Sequence, residues 1–112
     1  MPLINVRTSV TDLKNADELL KILSTQLSSI TGKPERYVMT LLQTDIPMTF
    51  AGTTDPCCYV EIKSIGAINA TKMSKEFCKL ISEKTGIPSE RIYIGFEDVP
   101  ANLWGWNSSI FG

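Results

Sequence analysis

Asn15 to Pro34 reads NADELLKILSTQLSSITGKP. Ala16, Leu19, Leu20, Leu23, Leu27 and Ile30 fall at helical spacing, and Asp17, Lys21 and Gln26 lie off that face, which predicts an amphipathic helix. Asn15 with Glu18 fits a capping box, and Gly32 followed by Pro34 fits a helix stop. The same frame returns further along the chain at one constant offset. Asn15-Ala16 recurs as Asn69-Ala70, Thr31-Gly32-Lys33-Pro34 as Thr85-Gly86-Ile87-Pro88, and Val6 as Val60. A second helix therefore opens at Asn69, with Ala70, Met73, Phe77, Leu80 and Ile81 as its apolar face and Gly86 and Pro88 as its stop.

Strands flank both helices. Leu3 to Thr8 reads as a short strand, Tyr37 to Gln43 as a second, Cys58 to Ser64 as a third and Arg91 to Phe96 as a fourth. Thr44 to Pro56, with Pro47, Gly52 and Asp55-Pro56, reads as a connection with room for a small hairpin. The tail from Pro100 carries Trp104, Trp106, Ile110 and Phe111 without clear periodicity. The repeated unit is strand–helix–strand, so each half is a right-handed crossover between parallel strands. Two such units related by a pseudo-twofold give an α+β two-layer sandwich: a four-stranded mixed sheet with both helices on one face. Strands two and four are apolar on both faces, for example Val38 and Leu42 against Met39 and Leu41. A face left in water with such side chains marks an interface, so a symmetric homo-oligomer is expected.

At 112 residues, 43% hydrophobic and 21% charged, the chain reads as one globular domain spanning 1–112. A net charge of −1 without a Lys/Arg block argues against nucleic acid or a membrane surface as partner. There is no histidine, which removes the commonest general base and the commonest zinc ligand. Neither a metal nor a cofactor is expected, and acid–base chemistry near neutral pH must come from a shifted group of another type. No apolar run approaches a membrane span and no signal pattern opens the chain, so the cytoplasm is the expected compartment, with release lacking a signal peptide left open. Cys57, Cys58 and Cys78 read as small buried residues rather than a disulfide framework. Asn69-Ala70-Thr71 and Asn107-Ser108-Ser109 match glycosylation acceptors only by accident in such a compartment.

The chain opens Met1-Pro2, and a small second residue permits removal of the initiator methionine. Pro2 would then offer a secondary amine able to act as base or nucleophile. The plainer alternative is that Pro2 starts an edge strand, where a missing N–H does little harm. Topology separates the two. Parallel strands one and two begin at one edge of the sheet, with Pro2 at the first and Lys33 just before the second. A pseudo-dyad returns Lys63-Ser64-Ile65 to the same place. An amine, a cation and a turn with free N–H groups converge there. Tyr93 begins strand four at the opposite edge and reaches Pro2 only from a neighbouring chain.

Met1-Pro2, Thr31-Gly32-Lys33-Pro34, Ser64-Ile65-Gly66 and Gly105-Trp106-Asn107-Ser108-Ser109-Ile110-Phe111 together resemble the macrophage migration inhibitory factor family of the tautomerase superfamily, over essentially the whole chain. The resemblance implies a homotrimer whose sheets enclose a central channel, with an active site at each subunit interface built on the amino-terminal proline. It implies cofactor-independent keto–enol tautomerism of small aromatic keto acids, phenylpyruvate-like or dopachrome-like. By that resemblance Pro2 is the base, Lys33 holds the substrate carboxylate or enolate, and the Ile65 N–H, beside Ser64, donates to the same oxygens. Tyr37, Tyr93, Trp106 and Phe111 form the aromatic wall. An α-amino group ordinarily titrates near 8, and apolar walls with a nearby cation lower that value. Against these roles, Lys33 also reads as a solvated charge at a helix C-terminus, the aromatic residues as subunit packing, and the Ile65 side chain as core.

Several positions depart from the family's better-known vertebrate members. Cys57-Cys58-Tyr59-Val60 lacks the second thiol of a Cys-x-x-Cys stretch, which argues against thiol–disulfide chemistry. Gly95 stands where those members carry asparagine, Lys63 replaces a histidine and adds a second cation, and Asp12 lies where an arginine has been linked to receptor recognition. The alternative to an enzyme is a cytokine-like binding or signalling protein with a vestigial pocket, against which Asp12 counts. Sibling chemistry on Pro2, such as dehalogenation or decarboxylation, needs further acid or arginine groups near the amine, and no clear pair is present.

Overall fold

Both helices form where the periodicity puts them. The computed structural model describes residues 1–112, with α1 at Ala16–Thr31 and α2 at Ala70–Thr85. Each stops on a left-handed glycine, Gly32 (φ 71°) and Gly86 (φ 80°), whose N–H groups bond the carbonyls of Ser28 and Ser82 at 2.9 Å. A side chain at either glycine would strain that conformation. The helix starts differ. Asn69 caps α2 by accepting from the Lys72 N–H at 3.2 Å, but the capping box expected at Asn15 and Glu18 does not form. Asn15 instead donates to the Lys84 carbonyl at 3.4 Å and Glu18 pairs with Lys84 at 3.6 Å. The last turn of α2 lies beside the first turn of α1, and these tertiary partners displace the local cap.

The sheet consists of β1 (Leu3–Thr8), β2 (Met39–Gln43), β3 (Cys58–Ser64) and β4 (Ile92–Asp98) in the order β2-β1-β3-β4. β1 and β2 are parallel, β3 and β4 are parallel, and β1 runs antiparallel to β3. This is the duplicated βαβ arrangement, and Val6 faces its repeat counterpart Val60 across the central pair. Tyr37 and Val38 fall outside the second strand. Pro34 opens a 3-10 turn over Glu35–Tyr37, closed by the Tyr37 N–H on the Pro34 carbonyl at 3.0 Å, and β2 begins only at Met39. Pro88 does the same for Ser89–Arg91, so β4 starts one residue later than expected and continues through Asp98. The tail holds regular structure that no period could reveal. β5 (Gly105–Trp106) and β6 (Ser109–Ile110) form a hairpin through Asn107 (φ 50°) and Ser108 (φ 64°), the two positive values of a tight two-residue loop. A single bridge, Phe50 to Thr53, supplies the small hairpin of the 44–56 connection.

The core lies between the helices and one sheet face. Ile4, Val6, Val60 and Ile62 meet Leu19, Leu23, Leu27, Met73, Phe77 and Ile81, all essentially inaccessible. The other face is uncovered. At the β2 edge it exposes Met39 and Leu41 at 56% and 38%, as expected of an apolar outer face. For β4 that expectation fails. Its open-face residues are Tyr93, Gly95 and Glu97, and only the first is a large apolar group, 65% exposed. Between the edges the central strands present Asn5, Arg7, Glu61 and Lys63. β2 and β4 have no strand partner on their outer sides. No helix is long and apolar enough to cross a membrane.

Candidate active site

Pro2 is buried at the entry to β1, and its carbonyl accepts the N–H of Met39, the first residue of β2, at 3.1 Å. The start of both parallel strands is therefore tied to this one residue. Lys33 sits in the turn that feeds β2. The Met1 amine, one residue before Pro2, is held below the usual α-amino range, first by burial and then by the charge of Lys33. Lys63 does not share that influence. The register sets it opposite Leu3, so it alternates onto the open face, whereas Pro2 and Ser64 lie on the helix side. Lys63 therefore adds no influence on the Met1 amine within the chain.

Ser64 is fully buried, its hydroxyl has no hydrogen-bond partner, and its carbonyl accepts the Val99 N–H at 2.9 Å. The Ile65 N–H donates no hydrogen bond within the chain. The turn that carries it is held from the other side, because the Gly66 N–H donates to the Asp98 carboxylate at 2.9 Å. Asp98 had no sequence signal as a site residue: its role depends on the β3–β4 register, which pairs it with Ser64.

Three of the four aromatic residues cluster. Tyr37 meets Trp106 edge-on with centroids 5.6 Å apart and Phe111 at 6.2 Å, and Trp106 stacks on Phe111 at 5.8 Å. The hairpin turn at Asn107 and Ser108 brings Trp106 and Phe111 to the same side of Tyr37. The Arg36 guanidinium lies over the Tyr37 ring, 4.8 Å from its centre. Tyr93 stands apart. It pairs with Tyr59, which faces Arg7 near the far end of β1, so one chain cannot bring it to Pro2.

Pro2 lines none of the chain's five cavities. No three His, Cys, Asp or Glu side chains cluster as metal ligands. The cysteines are free, and the Cys58 thiol is pushed up to about 12 by burial and then by Cys57 and Cys78, which keeps it protonated at neutral pH. What this end of the sheet offers chemically is the Met1 amine with reduced proton affinity, Pro2 directly after it, Lys33 and an unused N–H donor. Such a set can take a proton from carbon and stabilise the resulting oxyanion.

Duplicated βαβ units with Pro2 and Lys33 at the β1–β2 end fit the tautomerase superfamily. Within it, the chain belongs to the family described as Macrophage migration inhibitory factor (MIF), which matches residues 1–112. It is 38% identical to the macrophage migration inhibitory factor of Rattus norvegicus over 99% of each chain. It is 31% identical to a Brugia malayi homolog over the full length of both. The crystal structure of a macrophage migration inhibitory factor homologue from Prochlorococcus marinus superimposes with a TM-score of 0.95 at 55% identity, covering 98% of this chain and 99% of that one.

Proposed function

We propose that this protein is a cofactor-independent keto–enol tautomerase, with Pro2 as general base after removal of Met1 and phenylpyruvate-like or dopachrome-like keto acids as substrates. The observation that carries this reading is the placement of Pro2, buried at the entry to β1 and tied through its carbonyl to Met39, at the sheet end fed by the turn that carries Lys33. The Met1 amine one residue outward is lowered by burial and then by Lys33, and Pro2, once Met1 is removed, would present its own nitrogen to the same surroundings. The neutral amine takes a proton from the carbon next to the keto group, the carbonyl oxygen becomes an enolate, and the ammonium returns the proton to that oxygen. No electrons are exchanged with any other species. Lys33 and the Ile65 N–H stabilise the carboxylate and the enolate, and Tyr37, Trp106 and Phe111 hold the aromatic ring.

The working unit in this reading is a homotrimer. Support comes from the unpaired outer edges of β2 and β4, the exposed Met39 and Leu41, and the absence of a walled pocket at Pro2 in one chain. A ring that joins neighbouring sheets would let the partner subunit's Tyr93 close the site. To test the reading, phenylpyruvate enol–keto conversion is measured for the native protein and for Pro2→Gly, with intact mass reporting whether Met1 is present. Pro2→Gly should lose about 10²–10⁴-fold in kcat/KM, the usual weight of a positioned general base. Equal rates would end the proposal.

The name carried by the relatives favours a second reading, a binding or signalling protein. It predicts receptor-dependent cell responses that persist when Pro2 is chemically blocked, and responses that vanish with the amine would count against it.

A further inference from the structure

We propose that Arg91 is a positioning residue for the active site of the adjacent subunit, acting through Phe50 on Tyr93; this rests on the tautomerase reading above. Arg91 is the residue of the second repeat that corresponds to Tyr37, and its guanidinium is committed entirely to backbone. Nε donates to the Pro56 carbonyl at 2.9 Å, Nη1 to the Phe50 carbonyl at 3.1 Å, and Nη2 to the carbonyls of Asp55 at 2.9 Å and Thr53 at 3.5 Å. All four acceptors belong to one loop, which curls around the cation. Phe50 and Thr53 exchange backbone hydrogen bonds at 3.0 and 3.1 Å across the left-handed pair Ala51 and Gly52. A planar fork with five donors can satisfy four converging carbonyls; a lysine ammonium has neither the reach nor the geometry.

The clamp continues into side chains. The guanidinium lies 5.3 Å from the centre of the Phe50 ring. Phe50 in turn meets Tyr93 edge-on, with centroids 4.6 Å apart at 61°. Tyr93 is largely exposed, so Phe50 is the aromatic contact that sets its orientation. Beneath this pair is a mainly apolar cavity of about 340 Å³ lined by Met48, Phe50, Cys57, Cys58, Tyr59 and Tyr93. If Phe50 loses its seat, the Tyr93 ring has space to fall back towards that cavity. A clamp that served stability alone would have no need to end on an exposed tyrosine at the sheet end remote from its own Pro2.

The test measures enol–keto conversion of phenylpyruvate and of a short aliphatic 2-keto acid by the native protein, Arg91→Lys and Phe50→Leu. Both variants should raise KM for phenylpyruvate by roughly three- to tenfold, the weight of one oriented aromatic contact. The value of kcat should stay within about twofold and KM for the aliphatic acid should not move. A purely structural role predicts equal losses for both substrates that follow the folded fraction, and that pattern overturns the proposal. Phe50→Leu leaves the carbonyl bonds to Arg91 in place, so it decides the matter even where Arg91→Lys does not fold. Co-expressed Pro2→Gly and Arg91→Lys chains locate the effect. Mixed oligomers should contain sites with native KM, and a uniformly raised KM refutes action across the interface. Lack of conversion by the native protein removes the tautomerase reading and this one together, whereas native conversion with unchanged KM in both variants removes only the clamp.

Discussion

After α1 the chain runs Thr31-Gly32-Lys33-Pro34, after α2 Thr85-Gly86-Ile87-Pro88, and the two turns share their threonine, glycine and proline bonds, although only the first adds the Ser28 hydroxyl donating to the Lys33 carbonyl at 2.6 Å. Each threonine hydroxyl donates to the carbonyl four residues back, Leu27 and Ile81, at 2.6 Å. Each then accepts the N–H two residues on, Lys33 at 3.3 Å and Ile87 at 3.2 Å. Each proline carbonyl closes a 3-10 turn, onto Tyr37 at 3.0 Å and Arg91 at 2.8 Å. With the backbone held constant, the side chains diverge. Lys33 is part-exposed and lowers the proton affinity of the Met1 amine, while Ile87 is fully buried in the core. Tyr37 joins an aromatic cluster, while Arg91 gathers a loop. Duplication thus supplied one scaffold twice, and the antiparallel β1–β3 pair sent the copies to opposite ends of the sheet. In the proposed ring, opposite ends of neighbouring subunits meet.

The comparison breaks most visibly if the two side chains are exchanged. Ile87→Lys puts an ammonium without a partner into the core, and a loss of about 4 kcal/mol or more is expected. The reciprocal Lys33→Ile should change stability by no more than about 0.5 kcal/mol, as for an ordinary surface substitution. Urea unfolding of both variants measures the difference. Similar midpoints would show that the turns are not specialised in the way their burial indicates.

Under the proposed tautomerase activity, Lys33→Ile should have its larger effect on catalysis. Loss of a charged contact to the substrate should lower kcat/KM by about ten- to a hundredfold. The pH profile separates this from the influence on the amine. If the Pro2 amine is lowered as the Met1 amine is, the base stays neutral further into acid, and the acid limb of the native rate profile should lie below the ordinary α-amino range. Stability follows the same sign: the contribution present above the unfolded pKa is lost as pH falls through the lower folded one. Removing Lys33 deletes the second cause and leaves burial, so the acid limb should move part of the way up. A profile that stays in place would mean that Lys33 touches only the substrate.

Much of this arrangement was legible before any coordinates. The helices announced themselves through Leu19, Leu23, Leu27 and through Met73, Phe77, Ile81, because a one-sided core imposes the helical period. The repeat gave the topology, and the topology placed Pro2, Lys33 and Ile65 at one end and Tyr93 at the other. What stayed hidden depends on contacts between distant segments. Asn15 looks like a cap until Lys84 arrives beside it. Asp98 and Arg91 look like ordinary surface charges until register and loop closure assign them the Gly66 N–H and four carbonyls. Lys63 lies on the segment that returns beside Pro2, and the two-residue pleat puts it on the open face opposite Leu3. The tail hairpin escaped because two-residue strands carry no period.

The smallest expected difference concerns the two helix starts. Asn69 makes a local cap, so Asn69→Ala leaves the Lys72 N–H without its acceptor and should cost about 1 kcal/mol. Asn15 contributes only a 3.4 Å bond to the Lys84 carbonyl, a group at a helix end that water can also reach. Asn15→Ala should therefore cost less than half as much. The accompanying Lys84–Glu18 pair is partly exposed and screened, so it cannot restore the balance. Thermal unfolding of the two single variants under one buffer is sufficient to rank them. Equal losses would mean that the bond between helices does for α1 what the local cap does for α2, and that the repeat preserves the strength of the start as well as the geometry of the stop.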